Sequence, residues 1–190
     1  MNGKKPFFQR QSIRLKGYDY SQAGAYFITL VTKNRLPLFG EITNGEMNLD
    51  QYGEIIQNEW FRTPEIRKEI MLDEFIIMPN YIHAIVVIED PVGLSAQNSR
   101  ATGRSPLQEK PTISSSSKFI HLQSTSPGAF IAGFKAATII QIIRLRSSPG
   151  APVWIRNYYE HIIRSESELD RIRLYIQTNP SQWDQDKYFL

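Results

Sequence analysis

The run Tyr81-Ile-His-Ala-Ile-Val-Val-Ile88 constrains this chain most, because it is apolar at nearly every position after His83. A strand with one wet face alternates polar and apolar residues; a strand apolar on both belongs at the centre of a covered sheet. Leu72 to Met78 carries a second strand signal just upstream, and Pro79-Asn80 between the two marks a tight turn. An antiparallel pair is the natural outcome.

The remaining elements arrange themselves around that pair. A first strand is predicted over Ala25 to Thr32, rich in aromatic and β-branched residues and preceded by Gly24. A turn at Lys33 to Pro37 leads to a short apolar run at Leu38 and Phe39, and Glu46 to Leu49 reads as another short strand. From Gln51 to Arg62, Tyr52, Ile55, Ile56, Trp60 and Phe61 recur at helical spacing, with Asp50 as the N-cap and Pro64 as the boundary. A second helical pattern runs from Gly128 to about Arg146, apolar on more than one face and ended by Pro149-Gly150. After a segment through Val153-Trp154, a last helix is predicted from about Glu166 to Thr178, stopped by Pro180. The stretch 89–127 is rich in Ser, Pro, Gly, Gln and Thr and too long for an ordinary connection, so it reads as a flexible insertion in a single domain spanning 1–190. Antiparallel strands with helices grouped on one face give an α+β sandwich of the ferredoxin-like kind, with a terminal helix added.

Composition narrows the setting. The chain has no cysteine, which excludes disulfides and thiolate metal sites and makes a reducing, cytoplasmic location the simplest expectation. No signal peptide is visible at the start, and no uninterrupted apolar run approaches the roughly 18 residues that cross a bilayer, so no membrane partner is expected. The net charge of +3 permits contact with polyanions without demanding it. Basic residues cluster at Lys4, Lys5, Arg10, Arg14 and Lys16, and again at Arg164, Arg171 and Arg173; a solvated basic face explains them as well as nucleic acid does.

Phosphate-cradling loops, zinc-finger spacings and the common hydrolase motifs are all missing from the sequence. There are three histidines, and His121 falls in the predicted insertion. His83 follows Tyr81 by two residues, so on a strand the two share a face about 7 Å apart. A polar pair there is costly unless used or satisfied by a neighbour. On the last helix Tyr175 and Asn179 are four apart and project from one face. A tyrosine hydroxyl can attack phosphorus and an amide oxygen can bind a hard metal ion, although a core tyrosine and a helix-closing asparagine would look the same.

Ordered blocks through most of the chain carry a resemblance. They are Gly17-Tyr-Asp-Tyr20, Gly24-Ala-Tyr-Phe-Ile-Thr29, Leu38-Phe-Gly-Glu41, Asp73-Glu-Phe with Met78-Pro-Asn80, Pro152-Val-Trp154 with Arg156-Asn-Tyr-Tyr-Glu-His-Ile-Ile-Arg164, and Arg171-Ile-Arg-Leu-Tyr-Ile-Gln-Thr-Asn-Pro180. The sequence resembles the insertion-sequence 200-type transposases, especially their relatives associated with repetitive extragenic palindromes (REP). That resemblance implies a ferredoxin-like endonuclease of the HUH class, named for two histidines flanking a bulky hydrophobic residue. It implies a Mg²⁺ or Mn²⁺ ion at the scissile phosphate of single-stranded or hairpin DNA, and a helix-borne tyrosine that forms a 5′-phosphotyrosine link. On this chain the nucleophile would be Tyr175, and His83 and Asn179 would face the metal. Some relatives build each site from two subunits, so a homodimer is among the implied assemblies.

Tyr81 departs from the pattern, standing where the first histidine belongs. A neutral phenol is the poorer ligand, so Tyr81 is a doubtful one, and a degenerate hairpin-binding protein without strand cleavage is the alternative reading. Tyr158 and Tyr159 are rival nucleophiles, whereas Glu160 and His161 are expected to orient their segment by local hydrogen bonds. Arg156, Arg164, Arg171, Lys4, Lys5 and Arg14 are the candidate DNA contacts, with Trp154 either stacking on DNA or buried in the core. A ferredoxin-like RNA-binding module, which needs exposed aromatics on an open sheet face, is a third reading.

Overall fold

The structure, a computed structural model, describes residue 20 and residues 22–89, 126–147, 150–186 and 188. In chain order its elements are β1 (Gly24–Val31), β2 (Gly40–Thr43), β3 (Glu46–Leu49), α1 (Gln51–Phe61), the single turn α2 (Thr63–Ile66), β4 (Ile70–Met78), β5 (Tyr81–Ile88), α3 (Pro127–Arg146), β6 (Tyr159–Ile163) and α4 (Glu166–Thr178). Four strands form one sheet in the order β4-β5-β1-β6, with every neighbouring pair antiparallel. This is the ferredoxin-like arrangement: the hairpin β4–β5 and the strands β1 and β6 interleave, and each edge strand follows a helix. The expected α+β fold is therefore present.

The two faces of the sheet have different tenants. Tyr26, Ile28 and Leu30 of β1 and Ile82, Ala84, Val86 and Ile88 of β5 point to one face, where they meet Ile56 and Trp60 of α1 and Phe130, Ile131, Phe134 and Ile142 of α3. Trp60 anchors this core, stacked on Phe75 at 4.6 Å between ring centres and edge-on to Phe134. The grouping of helices on one face holds for α1 and α3. The terminal helix α4 lies on the opposite face, against β4 and β5, where Tyr81 and His83 point.

Local chemistry accounts for the element ends. Asp50 caps α1, its carboxylate accepting from the Tyr52 and Gly53 amides at 2.8 and 2.9 Å. Asn44 and Gly45, both at positive φ, make the two-residue turn that closes the β2–β3 hairpin. Gly53 is required by close approach, since a Cβ there would lie 2.3 Å from the Phe39 carbonyl oxygen.

Several sequence expectations need extension or correction. α1 ends at Phe61 before Pro64 as expected, but Pro64 also sits in the first turn of α2, where a missing amide is harmless. Pro180 follows the end of α4 as expected and in addition opens a 3-10 turn over Pro180–Gln185. The insertion expected over 89–127 falls at 90–125 outside the described residues, but its end is helical. Ser126 caps α3 through its hydroxyl and Pro127 is the first helical residue. Trp154 belongs to the core, its indole nitrogen donating to the Thr138 hydroxyl at 3.0 Å, so it is not free to stack on DNA. The β6 strand was not anticipated. Finally, α3 is long and apolar enough, by length and composition alone, to cross a bilayer. Its apolar residues do not form an uninterrupted run, because Lys135, Thr138 and Gln141 fall among them. In this fold one face of α3 is committed to the core.

Replacing Trp60 tests this packing. Trp60→Ala should cost about 3–5 kcal/mol in urea unfolding. Trp60→Phe should cost well under half of that, because the indole N–H it removes is buried without a hydrogen-bond partner among the described residues.

Candidate functional site

The site assembles where α4 crosses β5. Register places Thr29 of β1 opposite His83 of β5, and the alternation of both strands turns these side chains away from the main core. The His83 ring is held from below: its Nδ1 is 2.8 Å from Thr29 Oγ1. Its other nitrogen, Nε2, lies 3.2 Å from the hydroxyl of Tyr175 on α4. With Nδ1 engaged, Nε2 is the nitrogen this histidine offers to the site. Phe27 packs beside both rings, 5.1 Å from His83 and 6.3 Å from Tyr175 between ring centres.

Tyr81 is satisfied by a different set of partners. Its ring lies 4.6 Å from that of His83, and its hydroxyl donates to Asn179 Oδ1 at 2.6 Å and Asp186 Oδ2 at 3.0 Å. Burial is the main force pushing the Tyr81 hydroxyl well above the ordinary phenol range, and the adjacent Asp186 carboxylate adds to it. Tyr81 is thus a neutral hydrogen-bond donor near pH 7. Tyr175 is also shifted upward, first by desolvation and then by the charge of Asp186. At 39% exposure, however, its side chain remains reachable from solvent.

The helix carrying Tyr175 is clamped to the sheet by two carboxylates that are neighbours in sequence. Arg173 donates to Asp73 through two nitrogens, at 2.9 and 2.6 Å, and Gln177 donates to Glu74 at 2.6 Å. Adjacent strand residues ordinarily face opposite sides. Here β4 carries a bulge between Leu72 and Phe75, which lets Asp73 and Glu74 both reach α4. At the start of α4, Ser165 caps the helix, and Glu168 accepts from the Arg164 amide and pairs with His161 at 2.8 Å.

The structure thus brings together the four residues singled out by sequence, His83, Tyr175, Tyr81 and Asn179, across 92 and 98 positions of chain. Among the described residues no three imidazoles, thiols or carboxylates gather as a metal site. An ion here would rest on a mixed set: the His83 imidazole, the Asn179 amide oxygen and the Asp186 carboxylate. The amide and carboxylate oxygens of that set are the donors Mg²⁺ and Mn²⁺ take, while the imidazole is a softer donor that suits Mn²⁺ better than Mg²⁺. Sequence reasoning missed Asp186, which lies beyond Pro180 with no periodic pattern to flag it. It also missed Thr29, visible only once the β1–β5 register is known.

The other candidates separate. Tyr158 donates to Glu160 at 2.6 Å and packs partly into the core, while Tyr159 stands exposed on β6. Arg156, Arg164 and Arg171 are exposed, Arg171 lying 3.8 Å from Glu168. Lys4, Lys5, Arg14 and His121 fall outside the described residues.

Comparison with known proteins agrees with this picture at the level of fold. No family model matches the chain. An uncharacterised protein of Haemophilus influenzae is 36% identical over 181 residues, covering 95% of this chain and 93% of its own length. Among solved structures, a REP-associated tyrosine transposase bound to a REP hairpin superposes with a TM-score of 0.55 at 13% identity, covering 90% of this chain and 74% of that one.

The clamp has a pH signature. Arg173 beside Asp73 holds that carboxyl below its usual range, so the native state binds this proton less readily than the unfolded chain. The stabilisation is present above about pH 4 and fades as pH falls through the depressed native value. The pair is partly exposed and screened by solvent, so Arg173→Ala should lower the melting temperature by a few degrees at most. Thermal melts should show that gap near pH 6 and show it closing toward pH 3.

Proposed function

Since this chain belongs to one family with the Haemophilus influenzae protein and is built on the fold of a REP-associated tyrosine transposase, we propose that it is a transposase-like DNA strand transferase. Its substrate is single-stranded DNA next to a hairpin. The observation that carries the reading is Tyr175, a partly exposed tyrosine whose hydroxyl lies 3.2 Å from His83 Nε2 on a helix clamped to the sheet.

The chemistry balances without a nucleotide cofactor. The Tyr175 oxygen forms a bond to phosphorus as the bond from phosphorus to the 3′-oxygen breaks. The phenol proton ends on that 3′-oxygen, leaving a 5′-phosphotyrosine and a free 3′-hydroxyl. One phosphodiester replaces another, so the reverse reaction rejoins a strand. His83, Asn179 and Asp186 would hold a Mg²⁺ or Mn²⁺ ion. When bound, such an ion supplies positive charge that polarises the scissile phosphate and helps a phenol react near neutral pH. Thr29 fixes which nitrogen His83 presents, and Tyr81 draws the Asn179 and Asp186 oxygens to one point. Tyr81 is then a positioning residue, and Asp186 supplies the anionic oxygen that a second histidine would otherwise replace with a neutral nitrogen. Exposed Arg156, Arg164 and Arg171 supply charge for the DNA backbone, with Lys4, Lys5 and Arg14 as further candidates.

The neutral, upshifted phenol of Tyr81 also favours a second reading, a protein that grips hairpins but no longer cuts them. An adduct assay separates the two. Hairpin oligonucleotides are incubated with Mn²⁺ and with wild type, Tyr175→Phe, Asp186→Asn or Tyr81→His. Strand transfer predicts a covalent adduct with wild type, none with Tyr175→Phe, and a fall of about tenfold or more with Asp186→Asn. If only Tyr81→His forms an adduct, the chemistry has been lost at the metal site and the binding reading holds. Hairpin binding with no adduct from any variant would reject strand transfer altogether.

A further inference from the structure

The sheet face that carries His83 is covered by α4 over β4 and β5, and toward β6 it ends in Tyr159. Thr29 is the register partner of both His83 and Tyr159, so the three residues form one row across β5, β1 and β6 on one face. Two strand spacings, about 10 Å, separate the ends of that row. Phe27 bridges the gap diagonally, edge-on to Tyr159 and to Tyr175 at 6.3 Å in each case.

Tyr159 is 49% exposed and packs on the Phe27 ring, and among the described residues no base reaches its hydroxyl. This environment suits an aromatic surface and does not suit a nucleophile. The segment leading into it is stiffened from the far side of the sheet, where the Lys135 ammonium donates to the Ile155 and Asn157 carbonyls at 2.9 and 3.1 Å. Arg156, three residues earlier in the chain, is exposed and makes no ion pair among the described residues, so it adds positive charge to the segment that leads into Tyr159.

We propose that Tyr159, backed by Phe27, is the stacking platform for the unpaired nucleobase next to the phosphate attacked by Tyr175. The proposal rests on the strand-transfer reading. An aromatic ring offers any base a π-face, and single-stranded DNA sites combine such rings with a cationic groove. Phe27 touches both tyrosines, so it couples the height of the platform to the position of the nucleophile. A base seated on Tyr159 would bring its own phosphate toward Tyr175 within the reach of one nucleotide, positioning the substrate without a base-specific hydrogen bond.

The test is run in a Tyr175→Phe background, where binding is read without covalent chemistry. DNA hairpins with single-stranded arms carry 2-aminopurine at each position flanking the cleavage site. Binding should quench emission at one position. Tyr159→Ala should restore that emission and weaken binding about tenfold, as expected for one lost base–aromatic stack. Tyr159→Trp should keep both the quenching and the affinity. Unchanged emission and affinity in Tyr159→Ala would overturn the platform while leaving strand transfer to stand on its adduct. Tighter binding of the matching RNA hairpin would overturn the assignment to DNA.

Discussion

A strand buried on both faces accepts polar side chains only where another element meets each of their hydrogen-bonding atoms. In β5 that demand falls on Tyr81 and His83, which are buried yet point away from the apolar core. Their partners come from distant parts of the chain: Thr29 from β1, Tyr175 and Asn179 from α4, and Asp186 from the turn beyond. Satisfying these two side chains is therefore the same act as docking the last helix. Burial of β5 and placement of Tyr175 depend on the same contacts.

Charge in this site is arranged sparingly. Both phenols hold their protons more tightly than free tyrosine does, and both feel the carboxylate of Asp186. A single O–H of Tyr81 is shared between an amide oxygen and a carboxylate oxygen from different elements. Such convergence of acceptors on one proton is what a cation would stabilise more strongly, since a hydroxyl hydrogen carries only a partial charge. Tyr81 therefore acts at this position as a hydrogen-bond donor that holds the Asn179 and Asp186 oxygens together.

Much of this was legible in the sequence wherever local pattern was strong. The continuous apolar run of β5, the helical spacing in α1 and the limits of α4 each follow from periodicity and caps. The Tyr81/His83 and Tyr175/Asn179 pairs were readable as same-face pairs, and the resemblance tied the two together. Other features depend on partners far away in the chain. The strand β6 has five residues, two of them polar side chains used in hydrogen bonds, and only its pairing with β1 makes it a strand. Asp186 and Thr29 gain meaning from contacts with Tyr81 and His83, not from their neighbours. The Asn44-Gly45 turn, in contrast, was a legible hairpin signal that went unread.

The bulge in β4 shows what the sheet gives up for the helix. Ile70 and Leu72 reach the core before it, and Phe75 and Ile77 reach the core after it, so the inward positions switch from even to odd numbers. Removing one residue at the switch would restore plain alternation along the strand with every core side chain still inward. The sheet would thus be complete with one residue fewer. What would vanish is the second carboxylate on the helix side, and with it either the Arg173 or the Gln177 clasp. That extra residue works as a spacer whose beneficiary is α4, and any homologue lacking it should have to hold its tyrosine helix by other means.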